Sequence, residues 1–514
     1  MTINTFAAID VGSFELSMKI YEVSHKGGMK QIDYIRHAID MGTETYNTGI
    51  LSFERVEELC GVLREFSKVM KSYKVTEYKA YGTSAVRETR NTAILLDQIK
   101  QRTGISIEVI SNSEQRFLDY KSIAFQGAKF DEVIKKNTAV LDIGGASIQM
   151  SLFEESALIS TQNMKLGVLR LQDRMNTLDA SLRQYEALVG ELCDSQFSTY
   201  QKLYLQGIKI ENLIIIDDYL SLIIHKNIND YMVKDTADLD YVNHCVEMVR
   251  NMNKTDLAQI MGVPEETIPL LFISLLVLQM VMKTTGAKKV WAPGVTLCDG
   301  IAYEYAENKG ILRANHNFDD DIRACAMQIS KRYNGSRKRA ETIENIAIGV
   351  FDAIRNISGL TPRDRLLLQI SAILHDCGKY ISLLNLAECS YNIIKYTEII
   401  GISHKERIMI ANIVRYNQKV FDYYDDFEDM EHLNPEDHMR IAKLTAILRI
   451  ANGLDRSHKT KFKDFAINIE NNKLIITVIT DEDISLEKGL FGNRADFFKE
   501  VYNLEPIIKQ KRSI

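Results

Sequence analysis

Two short stretches of this chain share one pattern of apolar and polar positions. In residues 8–13 and 140–147, an apolar run typical of a β-strand ends in an aspartate and is followed by a glycine turn that contains a serine. Such a turn can direct several backbone N–H groups at a phosphate, and an aspartate at the strand end can bind a divalent cation. Two copies in one chain therefore predict two facing loops that hold one polyanion.

The surrounding pattern predicts two halves of the same architecture. Strand-like alternation in residues 5–23 is followed by helical spacing in residues 53–73. A strand-like run at residues 105–110 comes next, and Ser111 then begins a helix. A second series of the same kind begins at Thr138. Because ligands of α/β folds bind beyond the carboxyl ends of strands, both Asp-Gly loops are expected at a cleft between the halves.

The pattern changes after these two halves. From about residue 308 to residue 460 the apolar residues have helical spacing. After that, residues 465–469 and 474–479 are strand-like runs on either side of a polar turn. The predicted fold class is α/β, followed by an all-α region and a small α+β region. The predicted domains are residues 1–125 (first α/β domain), 126–307 (second α/β domain), 308–460 (all-α domain) and 461–514 (small α+β domain).

The composition narrows the kind of ligand. The chain has 514 residues, of which 46% are hydrophobic and 26% charged, and this balance is typical of a folded protein of several domains. The formal net charge of −6 disfavours nucleic acid as a partner, because a phosphate backbone needs a basic surface. A phosphorylated ligand would therefore be held locally, by N–H groups, a metal ion and a few cationic side chains.

Neither the cysteines nor the apolar segments indicate secretion or a membrane. The seven cysteines are scattered and form no Cys-x-x-Cys pair, so we expect reduced thiols and a cytoplasmic protein. The longest apolar stretch, residues 268–282, contains Pro269 and Gln279 and is shorter than the roughly 20 residues of a membrane span. It predicts a buried helix and no membrane association.

A set of short motifs follows in a fixed order along residues 5–305. The motifs are Ala8-Ile9-Asp10-Val11-Gly12-Ser13, Gly82-Thr83-Ser84-Ala85-Val86-Arg87 with Asn91, Ile110-Ser111-x-x-Glu114, Asp142-Ile143-Gly144-Gly145-x-Ser147, Leu166-Gly167-x-x-Arg170 and Gly294-x-x-x-x-Asp299-Gly300. This ordered set resembles the exopolyphosphatase/guanosine pentaphosphate phosphohydrolase family of the actin-like sugar-kinase superfamily. The all-α region resembles the HD-type helical domain of the longer family members.

The resemblance carries expectations about fold and function. It implies duplicated actin-like (ribonuclease H-like) ATPase-type domains followed by an HD-like helical domain. It implies hydrolysis of terminal phosphates from inorganic polyphosphate or guanosine pentaphosphate, with magnesium or another divalent cation. It also implies a homodimer, because the helical domains form the interface in longer members.

The two loops contain most of the residues that are predicted to bind a metal ion or phosphate oxygens. Asp10 and Asp142 are the expected metal carboxylates, although each aspartate can also simply end its strand and cap a turn. Arg87 is the expected guanidinium clamp on phosphate oxygens, or else a solvated side chain at a helix start. The other predicted phosphate-binding residues, for which ordinary turn formation is the alternative, are Gly12, Ser13, Gly144, Gly145 and Ser147.

Two amides stand where the resemblance implies acids. The family's I-S-G-x-E-E-A segment reads Ile-Ser-Asn-Ser-Glu-Gln-Arg at residues 110–116, so Gln115 occupies the position of the expected general base. Gln149 occupies the position of a second acidic helper. Glu114 has the spacing of a reciprocal helix cap with Ser111. The substitutions matter because an amide accepts no proton at neutral pH.

Three outcomes are open for the predicted catalytic residues Gln115, Glu114 and Gln149. Gln115 orients water and hydrolysis is slow, or Glu114 or Glu15 substitutes as the base, or the site binds the polyanion without cutting it. The predicted function is an exopolyphosphatase-type hydrolase with reduced turnover, and the alternative is a polyphosphate or alarmone sensor that uses the same cleft. A sugar or acetate kinase fits less well, because the first loop lacks the basic and polar residues expected for ATP.

The helical region carries an incomplete metal motif. His375-Asp376 is the HD dipeptide, and Asp455 has the place of a distal ligand. Arg339 stands where the resemblance implies a histidine, and Asn452 where it implies an aspartate. Because a binuclear site needs several such ligands at once, we expect His375 and Asp376 to form structural hydrogen bonds instead of a working metal site.

Overall fold

The structure is a computed structural model that describes residues 4–205, 207–225, 235–313, 316–427, 429 and 433–512. The chain forms two compact units, Met1–Asn317 and Phe318–Ile514. The first unit contains two α/β halves, and the second unit is mainly helical.

A five-stranded mixed sheet forms the first half of the first unit. Its elements are β1 (Asn4–Val11), β2 (Glu15–Ser24), β3 (Gly28–Ala38), α1 (Gly42–Thr48), α2 (Phe53–Ser72), β4 (Glu77–Gly82), α3 (Ser84–Glu88), α4 (Thr92–Thr103), β5 (Glu108–Val109), α5 (Asn112–Ala124) and α6 (Ala128–Ile134). The strand order is β3-β2-β1-β4-β5. The first three strands form antiparallel hairpins, whereas β4 runs parallel to β1 and β5 parallel to β4.

The second half repeats this connectivity. Its elements are β6 (Thr138–Ile143), β7 (Ile148–Glu154), β8 (Ala157–Met164), α7 (Val168–Thr177), α8 (Leu182–Tyr200), β9 (Asn212–Ile216), α9 (Asp218–His225), β10 (Thr236–Asp238), α10 (Leu239–Asn251), α11 (Lys254–Met261), α12 (Ile268–Thr285) and β11 (Lys289–Trp291). The strand order is β10-β11-β9-β6-β7-β8, with β7 antiparallel and β9 parallel to β6. Read from β8 to β11, this order matches that of the first sheet, which confirms the predicted duplication.

Helix α12 is the core helix of the second half. By length and composition alone the segment Glu265–Thr285 could cross a membrane, but 83% of its most apolar window is buried inside the fold. Pro269 lies in the first turn of the helix, where a missing N–H group is tolerated. The prediction of a buried helix at residues 268–282 is confirmed.

A last helix of the first unit, α13 (Leu297–Asn308), follows the second sheet in sequence but packs against the first. Its Ile301 and Ala302 belong to the same buried cluster as Phe6 and Ala8 of β1. A Cβ added to Gly300 would lie far inside van der Waals distance of the Leu118 carbonyl oxygen. This glycine therefore permits the close approach of α13 to α5. The boundary predicted at 307/308 lies at the end of α13, and the compact unit ends at Asn317.

The second unit joins a helical bundle to a small sheet. Its elements are α14 (Phe318–Arg332), α15 (Arg337–Ser358), α16 (Pro362–Leu374), α17 (Leu386–Tyr396), α18 (His404–Tyr416), α19 (Pro435–Leu454), β12 (Phe465–Glu470), β13 (Lys473–Ile479), α20 (Ser485–Tyr502) and β14 (Glu505–Lys511). β12 and β13 form a hairpin whose turn residues Asn471 and Asn472 have φ angles of 48° and 58°, a conformation that asparagine tolerates. The predicted all-α region followed by an α+β region is confirmed.

The contact between α5 and α13 gives a stability prediction. The variant Gly300→Ala should lower the free energy of unfolding by about 1–3 kcal/mol or more, because the added methyl group forces the two helices apart. Chemical denaturation of the full chain measures this loss. Gly190→Ala is the matched control, since its added Cβ meets no atom within 4 Å and alanine favours a helix over glycine. Equal stabilities of the two variants would contradict the assignment.

Candidate functional site

The two glycine loops form the same backbone turn. Gly12 N–H donates to the Glu15 carbonyl oxygen at 3.0 Å, and Gly144 N–H donates to the Ser147 carbonyl oxygen at 3.0 Å. Each bond closes the connection between a central strand and its antiparallel neighbour, β1 to β2 and β6 to β7. The loops that the sequence analysis paired are therefore also equivalent in conformation.

The preceding aspartates occupy equivalent positions in the two sheets. Asp10 is the penultimate residue of β1, and it pairs with Ser17 of β2. Asp142 is the penultimate residue of β6, and it pairs with Gln149 of β7. Both carboxylates thus lie at the carboxyl end of a central strand, where the sequence analysis expected them.

The two loops approach one another across the cleft between the halves. A Cβ added to Gly145 would lie 3.2 Å from Cβ of Ser13, and one added to Gly42 would lie 3.0 Å from the same atom. Both glycines also approach Leu169 of α7. The absence of side chains at these glycines lets the loops come within van der Waals contact.

A cavity of about 180 Å³ lies between the loops. The predicted metal-binding, phosphate-binding and catalytic residues that line it are Asp10, Gly12, Ser13, Gln115, Asp142, Gly144 and Gly145, and the alternative base Glu15 lines it too. The structure therefore brings both predicted metal carboxylates, both loops and the amide at position 115 into one space. Arg87, Glu114, Ser147 and Gln149 are not among the lining residues.

Arg87 and Glu114 brace the start of α5. The Arg87 guanidinium donates to the Ile110 carbonyl oxygen at 2.6 Å and to Oδ1 of Asn112. Oε2 of Glu114 accepts the Ser111 N–H at 2.9 Å, and the Ser111 hydroxyl oxygen accepts the Glu114 N–H. The predicted capping box is confirmed, so both side chains act on the backbone around this helix.

The side-chain oxygen of Gln149 accepts a hydrogen bond from the buried guanidinium group of Arg116. Nε of Arg116 donates to Oε1 of Gln149 at 2.6 Å, and Nη1 of Arg116 donates to Thr161. Ser147 contributes its carbonyl oxygen to the turn of the second loop. These two residues support the wall of the second half behind the cavity.

The hydroxyl group of Ser13 belongs to a small cluster. Its Oγ lies 2.6 Å from Oη of Tyr46 and 2.7 Å from Oγ of Ser84. Burial raises the pKa of Tyr46, so the phenol stays protonated and available as a donor. The cluster fixes the first loop against α1 and the start of α3.

Arg170 connects the second loop to the first half. Its Nε donates to the Ala146 carbonyl oxygen at 3.0 Å, and its Nη2 lies 2.5 Å from Oε2 of Glu88. The guanidinium carbon lies 4.1 Å from the ring centroid of Tyr46, a cation–π geometry. One side chain thereby joins the backbone of the second loop to α1 and α3.

The cavity is strongly acidic, and two of its acidic residues, Asp119 and Asp217, were not predicted from the sequence. The carboxylates that line it are Asp10, Glu15, Asp119, Asp142 and Asp217. Asp217 follows β9, the strand beside β6, so its position after an apolar run was a usable signal. Asp119 lies one helical turn after Gln115, a signal visible only once the cavity-facing side of α5 is known.

This acidic lining suits a cation better than a bare polyanion, which the carboxylates would repel. Among the residues that the structure describes, no group of three or more His, Cys, Asp or Glu side chains is arranged to hold a metal ion. Mg²⁺ typically keeps several waters and binds through one or two carboxylates plus substrate phosphates. The donor chemistry of Asp10 and Asp142 fits that mode of binding.

In the second unit, a guanidinium lies among the residues of the HD motif. Arg339 of α15 contacts Asp376 at 2.7 Å and Asp455 at 3.2 Å, and its Nη2 donates to Oδ1 of Asn452 at 3.0 Å. Lys379 adds a second cation, 2.8 Å from Asp376. An arginine thus supplies, inside the protein, the positive charge that a metal ion would bring.

The protonation states agree with this arrangement. Burial lowers the pKa of His375 to about 4, so the imidazole is neutral at pH 7. Burial alone would raise the pKa of Asp376, but its interactions with His375, Lys379 and Arg339, in that order of size, lower it to about 2. Nδ1 of His375 lies 2.8 Å from the Ala372 carbonyl oxygen. The dipeptide therefore forms structural hydrogen bonds and ion pairs, as expected.

Comparisons with known proteins agree on one family. The model of the Ppx/GppA phosphatase family matches residues 20–309, and that of Ppx/GppA phosphatase, domain III, matches residues 322–493. A guanosine-5'-triphosphate,3'-diphosphate pyrophosphatase of Aeromonas hydrophila is 22% identical over 469 residues, covering 87% of this chain and 86% of the relative. Exopolyphosphatase 1 of Mycobacterium leprae is 20% identical over 288 residues, covering 55% of this chain and 84% of the relative.

The comparison with solved structures concerns the fold. The crystal structure of an exopolyphosphatase from Cytophaga hutchinsonii matches with a TM-score of 0.51 and 18% identity, covering 60% of this chain and 99% of the other. This likeness, together with the repeated strand order, establishes the actin-like fold of the first unit.

The Arg170 bridge predicts a measurable effect on the loops. In Arg170→Ala we expect faster amide hydrogen exchange in residues 84–88 and 144–147 and a loss of about 1–2 kcal/mol in the free energy of unfolding, since an ion pair and a cation–π contact disappear. Hydrogen-exchange mass spectrometry of the full chain measures the first effect. The control is Arg174→Ala, an exposed position on the same helix. Unchanged exchange in both residues 84–88 and residues 144–147 would exclude the bridging role.

The Arg339 cluster predicts a large stability effect. Arg339→Ala leaves Asp376 and Asp455 buried without their shared cation, so the second unit should lose about 3–5 kcal/mol of stability. A urea titration followed by hydrogen exchange in residues 337–358 reports this loss. Arg337→Ala removes an arginine of the same helix whose side chain is 82% exposed, and it should have little effect. A comparable loss in both variants would refute the assignment.

Proposed function

We propose, from the premise that this chain belongs to the Ppx/GppA phosphatase family, that it releases terminal phosphate from inorganic polyphosphate or guanosine pentaphosphate at a low rate. The curated relatives support the substrate class, since they are named as a pyrophosphatase of guanosine-5'-triphosphate,3'-diphosphate and as an exopolyphosphatase. The site is the cavity between the two glycine loops.

One observation carries this proposal. Asp10 and Asp142 hold equivalent positions in two sheets of the same connectivity, and each is followed by a glycine turn closed by an equivalent hydrogen bond. Both turns and both carboxylates line one cavity. Such a pair can enclose the end of a phosphate chain from two sides.

Asp10 and Asp142 are the residues that would hold Mg²⁺. When bound, the ion would neutralise phosphate oxygens in a cavity that is otherwise acidic. The loop glycines leave their backbone N–H groups open to close approach by phosphate oxygens. Arg87 contributes indirectly, because its guanidinium fixes the segment that begins α5.

The low rate follows from Gln115. Its side chain lines the cavity and can orient a water by hydrogen bonding, but it does not accept the proton of that water. A correctly placed general base contributes about 10²–10⁴-fold in rate. The site should therefore position the reactants well and still turn over slowly.

A binding protein is the second candidate function. The amides at positions 115 and 149 favour it, and Gln149 is engaged by the Arg116 guanidinium instead of facing the cavity. A sensor of this kind would hold polyphosphate or guanosine pentaphosphate in the same place without releasing phosphate.

Phosphate release distinguishes these functions. The full chain is assayed with Mg²⁺ and either substrate, beside equilibrium binding of the same substrate. We expect slow release by the wild type and a rise of about tenfold or more in Gln115→Glu, because the variant restores a proton acceptor. Gln101→Glu introduces the same charge at an exposed position and should leave the rate unchanged.

Two results would contradict the proposal. Tight binding by the wild type with no release would select the sensor. Brisk release by the wild type that falls in Gln115→Glu would exclude position 115 as the place of the base.

A further inference from the structure

We propose that the second unit binds the surface of an anionic lipid bilayer through an exposed apolar loop that lies beside basic side chains. The loop connects α16 to α17 and follows the HD dipeptide. This inference does not rest on the proposed hydrolysis. It departs from the expectation of no membrane association, which considered only whether an apolar run is long enough to span a bilayer.

Four large apolar side chains of this loop face solvent. Tyr380 is 64% exposed, Ile381 62%, Leu383 81% and Leu384 92%. We call these four residues the apolar tip. Large apolar side chains that are exposed together mark surfaces that bind a partner, whereas single exposed ones are ordinary. The apolar tip therefore indicates an interaction surface.

Hydrogen bonds fix the base of this loop. The Gly378 N–H donates to Oγ of Ser390 at 3.0 Å, and the Ile381 N–H donates to the Gly378 carbonyl oxygen at 3.0 Å. A Cβ added to Gly378 would lie 2.4 Å from the Ser390 nitrogen, so the loop packs directly against α17. The Asn385 N–H donates to Oγ of Ser382 at 3.1 Å. The loop thus has a defined conformation that leaves the apolar tip in solvent.

Basic side chains lie beside the apolar tip. The rings of Tyr333 and Tyr380 are in edge contact, with centroids 5.8 Å apart, which brings the turn between α14 and α15 next to the loop. Neither residues 331–338 nor residues 377–387 include an acidic side chain. Arg337 pairs with Glu341 and still has a side chain that is 82% exposed. We call the four basic residues of this turn the basic rim: Lys331, Arg332, Arg337 and Lys338.

This combination fits an anionic bilayer better than a protein groove or a free polyanion. Because Leu384 is almost fully exposed, the apolar tip is convex, and a protein partner would need a groove of matching shape. Lipid molecules rearrange around a protruding side chain. Polyphosphate would pair with the basic rim but has no apolar part to cover the tip. Apolar side chains at the headgroup boundary, next to Lys and Arg that attract anionic lipids, are typical of proteins bound to a membrane surface.

Co-sedimentation of the full chain with vesicles tests this inference. Vesicles of equal parts phosphatidylcholine and phosphatidylglycerol are compared with vesicles of phosphatidylcholine alone. We expect binding to the anionic vesicles only. The binding should weaken steeply between about 0.1 and 1 M salt, because the Debye length falls from about 10 Å to about 3 Å.

Two double variants separate the apolar tip from the basic rim. Leu383→Ser with Leu384→Ser should weaken binding to the anionic vesicles about tenfold or more, because apolar area is no longer removed from water. Lys331→Gln with Lys338→Gln should weaken it by about tenfold or more, since each basic side chain near an anionic surface contributes about fivefold.

The controls make the same kinds of change elsewhere. Ile357→Ser replaces an aliphatic side chain that is 58% exposed near the end of α15, about 30 Å along the helix axis from Arg337. Lys71→Gln with Lys74→Gln removes two exposed charges from the first unit. Both controls should bind as the wild type does. Thermal unfolding and phosphate release without vesicles should be the same in all of these variants, because the changed side chains are exposed.

A tryptophan at the apolar tip reports insertion directly. The chain's one native tryptophan, Trp291, is buried in the first unit. In Leu384→Trp, anionic vesicles should shift the added emission to shorter wavelength, and lipids with brominated acyl chains should quench it. Ile357→Trp is the matched control and should show neither effect.

Three results would overturn this inference. The first is no sedimentation of the wild type with anionic vesicles. The second is equal binding by the wild type and the Leu383/Leu384 variant, with no change in the emission of Leu384→Trp, which would leave a purely electrostatic contact. The third is a change of oligomeric state in the Leu383/Leu384 variant without vesicle binding by the wild type, which would assign the apolar tip to an interface between two copies of the chain. A wild type that releases no phosphate would refute hydrolysis and leave the vesicle results unaffected.

Discussion

The hydrogen bond that closes each glycine turn is the constraint on which the site depends. Gly12 N–H and Gly144 N–H each bond to a carbonyl oxygen three residues later, and this fixes where the strand before the turn ends. The aspartate one residue inside each strand then points into the cleft from a defined position. A Cβ at Gly12 would lie 2.7 Å from the carbonyl oxygen that accepts this bond, so another residue would disturb the turn. A different glycine, Gly145, allows the two loops to touch, because a Cβ there would lie only 3.2 Å from Cβ of Ser13.

Local features of this structure could be read from the sequence, because each depends on neighbouring residues. The Ser111–Glu114 capping box, the turn of Asn471 and Asn472 and the buried α12 are examples. The repeated Asp-Gly pattern was enough to place Asp10 and Asp142 at one cavity. The order of motifs was enough to identify the family and its fold.

Features that depend on distant parts of the chain could not be read in this way. The return of α13 to the first half brings Gly300 close against Leu118 of α5, and neither residue indicates the other in the sequence. Arg87 has the guanidinium group expected of a residue that binds phosphate, yet this group donates hydrogen bonds to the Ile110 carbonyl oxygen and to Asn112. Asp119 became visible as a cavity residue only when the cavity-facing side of α5 was known, whereas Asp217 follows the apolar run of β9 and could have been selected from the sequence.

The ion cluster around Arg339 has a consequence for the second unit. A metal ion in such a place can be removed by a chelator, and its occupancy varies with the supply of that metal. A guanidinium is covalently attached and keeps its charge over the whole range of pH in which proteins fold. The helical bundle therefore carries a counter-ion that it cannot lose, and its integrity should be indifferent to metal starvation.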